Sequence, residues 1–242
     1  MITCCNLICG CIAIVNALTG HLESALLFII LGAAFDFCDG MTARLLHVSS
    51  EIGKELDSLA DDVTFGAAPA SIIFYELQVL PYPFFMASLQ AWVPYIAFLV
   101  AALSAVRLAK FNLDTRQAMG FIGLPTPANA LFWGSLITGF GPLLEAYTWF
   151  TLLIITGIFV SAWILVAEIP MFALKFKQWG FKGNEVKYCF IIFSALVLIA
   201  TIAGGIACQQ YNLCYAGFSI IIVAYVLVSA AIDKGCQSKA NG

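Results

Sequence analysis

The sequence predicts an all-α membrane protein, built as a bundle of about eight transmembrane helices. The composition is 62% apolar and only 10% charged, and the mean hydropathy is +0.97, well outside the range of soluble globular domains. A helix needs about 20 apolar residues to cross the hydrocarbon core of a bilayer. Eight stretches meet this need, over about 2–20, 23–47, 54–76, 91–113, 126–144, 149–174, 186–207 and 214–233. The chain is therefore predicted to be a polytopic membrane protein.

The basic residues predict the orientation of these spans. All eleven Lys and Arg lie at one set of alternating span ends: Arg44 and Lys54; Arg107, Lys110 and Arg116; Lys175, Lys177, Lys182 and Lys187; Lys234 and Lys239. The opposite connections, around 21–22, 77–90, 145–148 and 208–213, contain none. By the positive-inside rule, both termini face the cytoplasm, which requires an even number of spans. We expect a multi-pass protein of the plasma membrane.

We expect one integral membrane domain over residues 1–242, because no long soluble insertion, repeat or low-complexity segment interrupts the spans. The residues that carry chemistry lie in the helices of about 1–130, and about 131–242 add further apolar helices. Between the fourth and fifth spans, Thr115–Pro127 contains two glycines and two prolines and is predicted to be non-helical. The nine cysteines and two histidines lack the spacing of a zinc site.

Four aspartates stand out in the second and third spans. Asp36 and Asp39 are spaced i, i+3, and Asp57 and Asp61 are spaced i, i+4, so each pair shares one face of its helix. The polar segment His47–Gly53 is predicted to join these helices as a hairpin. Both pairs then lie at one depth, near the cytoplasmic face. Their charges would repel one another in apolar surroundings, and cations or functional partners must compensate them.

The residue types around these acids indicate phosphate chemistry. Carboxylates grouped without His or Cys suit hard cations, so we expect a divalent metal, Mg²⁺ or Mn²⁺, with room for two ions between the helix pairs. Such ions usually serve phosphoryl transfer. Gly40 and Ala43 remove side-chain bulk where a ligand must approach, and Arg44 supplies a planar cation for phosphate oxygens. Lys54 adds a second cation.

The neighbouring acids are interpreted differently. Glu51 and Glu55 are ordinary charged residues at the end of a span. Asp62 points about 100° away from Asp61 on a helix and is predicted to be an accessory or interface acid. The four aspartates could also be ordinary charged residues at span ends, but the free-energy cost of burying four carboxylates disfavours this interpretation.

The pattern Asp36-x2-Asp39-Gly40-x2-Ala43-Arg44-x8-Gly53-x3-Asp57-x3-Asp61 resembles the signature of the CDP-alcohol phosphatidyltransferases at all eight fixed positions. The resemblance implies the CDP-alcohol phosphotransferase fold and a metal-dependent reaction, in which an alcohol attacks the β-phosphoryl group of a CDP-linked lipid and CMP leaves. It implies that the four aspartates are metal ligands and that Asp61 is also the general base. It further implies contacts to the CDP moiety from Asn6, Gly40, Ala43, Arg44 and Ser50.

Four other segments, Thr3–Gly10, Ser58–Pro69, Ala105–Asn112 and Phe121–Pro125, are similar to the bacterial and archaeal phosphatidylserine synthase branch of that family. This resemblance implies CDP-diacylglycerol and L-serine as substrates, phosphatidylserine as product, and a homodimer among membrane lipids. Arg107 and Lys110 share a helix face at the cytoplasmic end of the fourth span, where they would bind the serine carboxylate. The alternative is that both cations anchor the span at anionic lipid headgroups.

Two other functions compete with this interpretation. In the first, the chain belongs to the same family but uses another acceptor alcohol, for example glycerol 3-phosphate, inositol phosphate or a choline-type alcohol. A phosphorylated acceptor would need more cations near the site than Arg107 and Lys110. The second is an ion-coupled transporter that uses intramembrane acids as a relay. The acids gather at one face rather than at the midplane, which disfavours transport. We expect no nucleic-acid partner.

Overall fold

The computed structural model describes residues 2–46, 50–113, 121–171 and 184–240, which are helical almost throughout. The helices are α1 (Ile2–Leu18), α2 (Leu22–Leu46), α3 (Glu51–Asp61), α4 (Ala68–Val79), α5 (Phe98–Leu113), α6 (Thr126–Leu144), α7 (Trp149–Val166), α8 (Glu185–Ala207) and α9 (Ala216–Ala240). A π-helical turn, Asp62–Ala67, joins α3 to α4 without a break. Within the described ranges the chain therefore forms eight helical rods, and the predicted all-α bundle is confirmed.

The described helices suit a membrane. Five of them are long and apolar enough to cross it: Leu22–Thr42, Val93–Leu113, Trp149–Val166, Glu185–Ala207 and Tyr211–Ala231. Ile2–Leu18 is a shorter apolar helix. Large apolar side chains such as Leu27, Trp163 and Leu196 face outward, as expected where lipid replaces water as the solvent. The chain is a multi-pass membrane protein.

The helix ends differ from the predicted spans where local chemistry intervenes. The sixth rod, α7, ends at Val166, not near residue 174, because Pro170 has no N–H to donate to the carbonyl of Val166 and disfavours helix in the residue before it. Pro170–Met171 instead forms a short strand, β2, antiparallel to Phe121–Ile122, β1. Pro127 lies in the first turn of α6, so the non-helical segment is shorter than predicted at that end. Residues 115–120 of that segment lie outside the described part of the chain.

The core lies between α1, α2, α4 and α6. Its largest fully buried side chains include Phe65, Ile72, Ile73, Leu77, Trp133 and Ile137. The later helices attach to this core: α5 packs against α7, α6 against α9, and α8 against α9. Trp133 Nε1 donates a hydrogen bond to Ser161 Oγ at 3.0 Å, which ties α6 to α7. Helices α5 and α9 thus pack on the core helices, and α7 and α8 pack against α5 and α9.

The helix α1 passes close to the π-helical turn, and this contact positions the start of α1. A Cβ atom at Gly10 would lie 2.4 Å from Thr64 Oγ1 and 2.9 Å from its Cα, so only glycine fits there. Thr64 Oγ1 donates to the backbone carbonyl of Asn6 at 3.0 Å. These contacts fix the start of α1 beside the end of α3.

Candidate active site

Three acids from consecutive helices converge near the carboxyl end of α2. Asp36 on α2 and Asp57 and Asp61 on α3 each offer a carboxylate oxygen, and these oxygens lie within 4.8 Å of one another. Among the described residues, no other group of three His, Cys, Asp or Glu side chains is so close. Oxygen ligands on opposite sides of one Mg²⁺ are about 4.2 Å apart, so small side-chain rotations would bring all three onto one ion. The oxygen-only donor set and its spacing fit a hard divalent cation.

The fourth aspartate lies beside this group rather than in it. Asp39, one turn further along α2, accepts a hydrogen bond from Thr3 Oγ1 on α1. Its charge still acts on Asp57. The structure therefore brings together three of the four predicted ligands and holds Asp39 next to them through Thr3. Its role as a ligand stays a prediction.

Asn6 holds Asp61 directly. The asparagine is fully buried, with 0% of its surface exposed, and its Nδ2 donates to Asp61 Oδ1 at 3.0 Å. Its own side-chain oxygen, Oδ1, is buried without a hydrogen-bond partner. A Cβ at Gly32 would lie 2.9 Å from that oxygen, so glycine is needed for α2 to pass so closely. The sequence suggested a CDP contact for Asn6 but not this link to the proposed base.

The π-helical turn begins directly after Asp61. Pro69 has no N–H to donate to the carbonyl of Phe65, so the regular α-helical ladder cannot continue there. The N–H of Ala68 donates instead to the carbonyl of Val63, five residues back. Such π-turns are common at functional sites because they redirect side chains within a helix. The proline in the apolar run was a signal for this feature that the prediction of one regular span missed.

The two predicted serine-binding cations differ in exposure. Arg107 on α5 is buried, with 7% of its surface exposed, and its charge and that of Asp61 attract each other. Its guanidinium carbon lies 5.2 Å from the centre of the Phe111 ring. Lys110 is exposed. Arg107 is thus buried close enough to Asp61 for their charges to interact, whereas Lys110 lies at the surface, where lipid headgroups would meet it.

Polar side chains join α5 to α3 at the same end of the bundle. Lys54 Nζ donates to the backbone carbonyl of Asn112 at 3.3 Å, and Asn112 Nδ2 donates to Ser58 Oγ at 2.7 Å. Lys54 is thus used in a helix contact. Asp62 Oδ1 is buried without a hydrogen-bond partner and faces the backbone of Gly66, where a Cβ would lie 2.7 Å away. This position is compatible with an accessory role rather than a place in the aspartate group.

The predicted CDP contacts lie at the hairpin between α2 and α3. Gly40 is in α2, followed one turn later by Ala43 and Arg44, whose side chains lie outside the described part of the structure. Ser50 caps α3, and its Oγ accepts a hydrogen bond from the N–H of Gly53 at 3.0 Å. This bond leaves the Ser50 hydroxyl proton available to a ligand. Residues 47–49 also lie outside the described ranges, and Glu51 and Glu55 are exposed, as their assignment as helix-end charges predicts.

Several known proteins are similar to this chain in amino-acid sequence. Residues 1–137 match the family model described as CDP-alcohol phosphatidyltransferase. Three similar curated proteins are each named CDP-diacylglycerol–serine O-phosphatidyltransferase. The one from Bacillus subtilis is 39% identical over 150 residues, 60% of this chain and 78% of that protein. Those from Mycobacterium leprae and Methanocaldococcus jannaschii are 34% and 35% identical over 67% and 56% of this chain. The aligned part spans only 53% and 61% of these two relatives.

Proposed function

Because the chain belongs to the CDP-alcohol phosphatidyltransferase family, we propose that it transfers the phosphatidyl group of CDP-diacylglycerol to L-serine, giving phosphatidylserine and CMP. The convergence of Asp36, Asp57 and Asp61 within 4.8 Å carries the proposal, because phosphoryl transfer needs concentrated charge at one point. The names of the bacterial and archaeal relatives support serine as the acceptor.

The aspartates would hold one or two divalent cations. Asp36, Asp57 and Asp61 are close enough to share an ion, and Asp39 would join from the next turn of α2. When bound there, Mg²⁺ or Mn²⁺ supplies positive charge to the diphosphate oxygens. Without such a cation, three half-buried carboxylates would face one another in a largely apolar bundle.

Asp61 is the proposed general base. Asn6 occupies one of its oxygens, Oδ1, and so fixes the orientation of the carboxylate. In the proposed step, the serine oxygen forms a bond to the β-phosphorus while the bond from that phosphorus to the oxygen of CMP breaks. The hydroxyl proton passes to Asp61. Positioning by a buried partner of this kind raises the effective concentration of the base at the reacting group.

Arg107 is the better of the two proposed serine contacts. Its buried guanidinium is less screened than an exposed ammonium and would bind the serine carboxylate in a bidentate manner. Lys110 would contribute only at the surface. For CDP, we propose contacts from Asn6, Gly40, Ala43, Arg44 and Ser50, as the family resemblance implies.

We further propose that the aspartates and both termini face the cytoplasm of a plasma-membrane protein. The distribution of Lys and Arg in the sequence supports this orientation. Residues 1–242 would act as one domain, since α1 to α5 supply the proposed ligands, base and substrate contacts, and the later helices pack onto them. A homodimer is proposed from the family resemblance alone.

The test is CMP release by the purified protein with CDP-diacylglycerol and L-serine, with and without divalent metal. We expect serine- and metal-dependent release. Glycerol 3-phosphate, inositol phosphate and choline are tried in parallel, and release with one of these but not with serine would reassign the acceptor. Cation flux in vesicles without CMP release would instead favour a transporter.

A further inference from the structure

The end of the bundle opposite the aspartates carries a second group of acids. A cavity of about 400 Å³ lies there, between the start of α2 and the ends of α4 and α6. Its polar lining consists chiefly of His21, Glu23, Glu76, Thr138, Glu145 and Asn212. The connections at this end contain no Lys or Arg in the full sequence. Three carboxylates and one histidine therefore share one cavity, and these connections supply no Lys or Arg to compensate the acids.

Glu76 is the buried member of this group. Glu76 lines the cavity with only 1% of its surface exposed, and its Oε1 is buried without a hydrogen-bond partner. Its charge and that of Glu145 repel each other. Glu23 and Glu145 are exposed and stand at the mouth. A buried carboxylate with one unpartnered oxygen, in a cavity with two further carboxylates, favours the binding of a cation.

The size of the cavity decides which kind of cation fits. Among the described residues, only the three aspartates at the other end lie within 4.8 Å of one another, so these glutamates do not converge on one bare ion. A water molecule occupies about 30 Å³ in the liquid, so the cavity has room for an ion with several waters. Mg²⁺ in particular keeps much of its water shell when protein carboxylates bind it.

We propose that this cavity binds one hydrated divalent cation, with Glu76 as the buried anchor and Glu23 and Glu145 at the mouth. The oxygens of Thr138 and Asn212 would accept hydrogen bonds from the water shell. Because these residues come from α2, α4, α6 and the turn Tyr211–Cys214, the cation ties four elements together. The site is separate from the proposed chemistry and stabilises the opposite end of the bundle.

The test measures thermal unfolding rather than activity, so its outcome is independent of the proposed function. The full chain with Asp57→Asn and Asp61→Asn serves as the background, because two of the three converging aspartates are then removed. We expect its Tm to rise with Mg²⁺ or Ca²⁺ concentration, since a ligand that binds only the folded state stabilises it. Adding Glu76→Gln should abolish this rise, and adding Glu145→Gln should weaken it.

Glu185→Gln in the same background is the matched control, because Glu185 is an exposed acid at the start of α8. It should leave the cation response unchanged. A response that survives Glu76→Gln would overturn the proposal, as would a background protein that does not respond to either ion, since Glu76 would then be neutral without a guest. A response to ethanolamine but not to the metal ions would reassign the cavity to an organic ammonium.

Discussion

The two acidic groups of this protein lie about 20 Å apart along α2, given a rise of 1.5 Å per residue from Glu23 to Asp36, and they are built differently. The aspartates come from two consecutive helices and converge within 4.8 Å. The glutamates come from three separate elements, and only Glu76 is buried. The first arrangement suits an ion gripped directly by carboxylates. The second suits a hydrated guest.

The two groups also differ in the hydrogen-bond donors and cations that surround them. At the aspartates, Asn6 and Thr3 donate hydrogen bonds, and the buried Arg107 lies close enough for its charge to act on Asp61. At the glutamates, the oxygen Oε1 of Glu76 has no hydrogen-bond partner. The aspartate end is therefore organised before any ligand arrives, as a catalytic site requires, whereas the glutamate end depends on its guest for compensation.

Removal of metal should have the largest effect on CMP release, which is assigned to the aspartate end of the bundle. We expect EDTA to abolish CMP release, because the three aspartates then repel one another and nothing offsets the diphosphate charge. Mg²⁺ or Mn²⁺ should restore it. The measurement is CMP release against free metal concentration. Full activity in excess EDTA would contradict the assignment of the aspartates as metal ligands.

Asp61→Asn should reduce turnover by on the order of 10²–10⁴-fold or more, since a general base alone contributes that much. The substitution keeps the shape of the side chain, so the protein should stay folded, which gel filtration in detergent and thermal unfolding would check. Asp62→Asn is the matched control, because Asp62 lies next in the chain but outside the converging group. Near-normal turnover of Asp61→Asn at saturating metal would exclude its role as base.

Asn6→Ala should reduce turnover by about 10–100-fold, the usual effect of losing a side chain that orients a ligand. The variant removes the donor to Asp61 Oδ1 without touching a charge. A purely structural role would lower the Tm alone. We expect in addition a higher metal concentration for half-maximal activity, and an unchanged metal dependence would argue against positioning of Asp61 by Asn6.

Arg107→Ala should raise the KM for serine by about 10-fold or more, because a buried charge-assisted hydrogen bond is lost. Lys110→Ala should change it little, since Lys110 is exposed. KM and kcat are measured with both substrates varied. A KM for serine that neither substitution raises would contradict the serine contact and favour the headgroup-anchor interpretation for both cations.

Sequence reasoning predicted the aspartate group because its geometry is local. Spacings of three and four residues place acids on one helix face whatever the rest of the fold does. The contact between Asn6 and Asp61 joins residues 55 apart in the chain. It depends on the close approach at Gly10, which no local pattern reveals.

The rotation of each helix about its own axis could also not be predicted from the sequence. Arg107 and Lys110 were predicted to share a face, yet one is buried and the other exposed. Rotation of α5 against its neighbours decides this difference. Glu76 did leave a signal, as the only acid of the apolar helix α4, because an acid in an apolar helix usually marks function. Its partners in the cavity come from distant parts of the chain, so the signal did not identify a site.

Glu76→Gln in the otherwise unchanged chain should have the smallest effect on activity. Substitutions far apart with no shared partners act independently, so CMP release should stay within about twofold of the parent protein. The cation-dependent rise in Tm of the same sample should be smaller than that of the parent protein, because only the aspartates still bind a cation. A loss of turnover comparable with that of Asp61→Asn, in a protein that still unfolds cooperatively, would show that the two ends are coupled through α2 and α4. The comparison of two independent acidic sites would then be wrong.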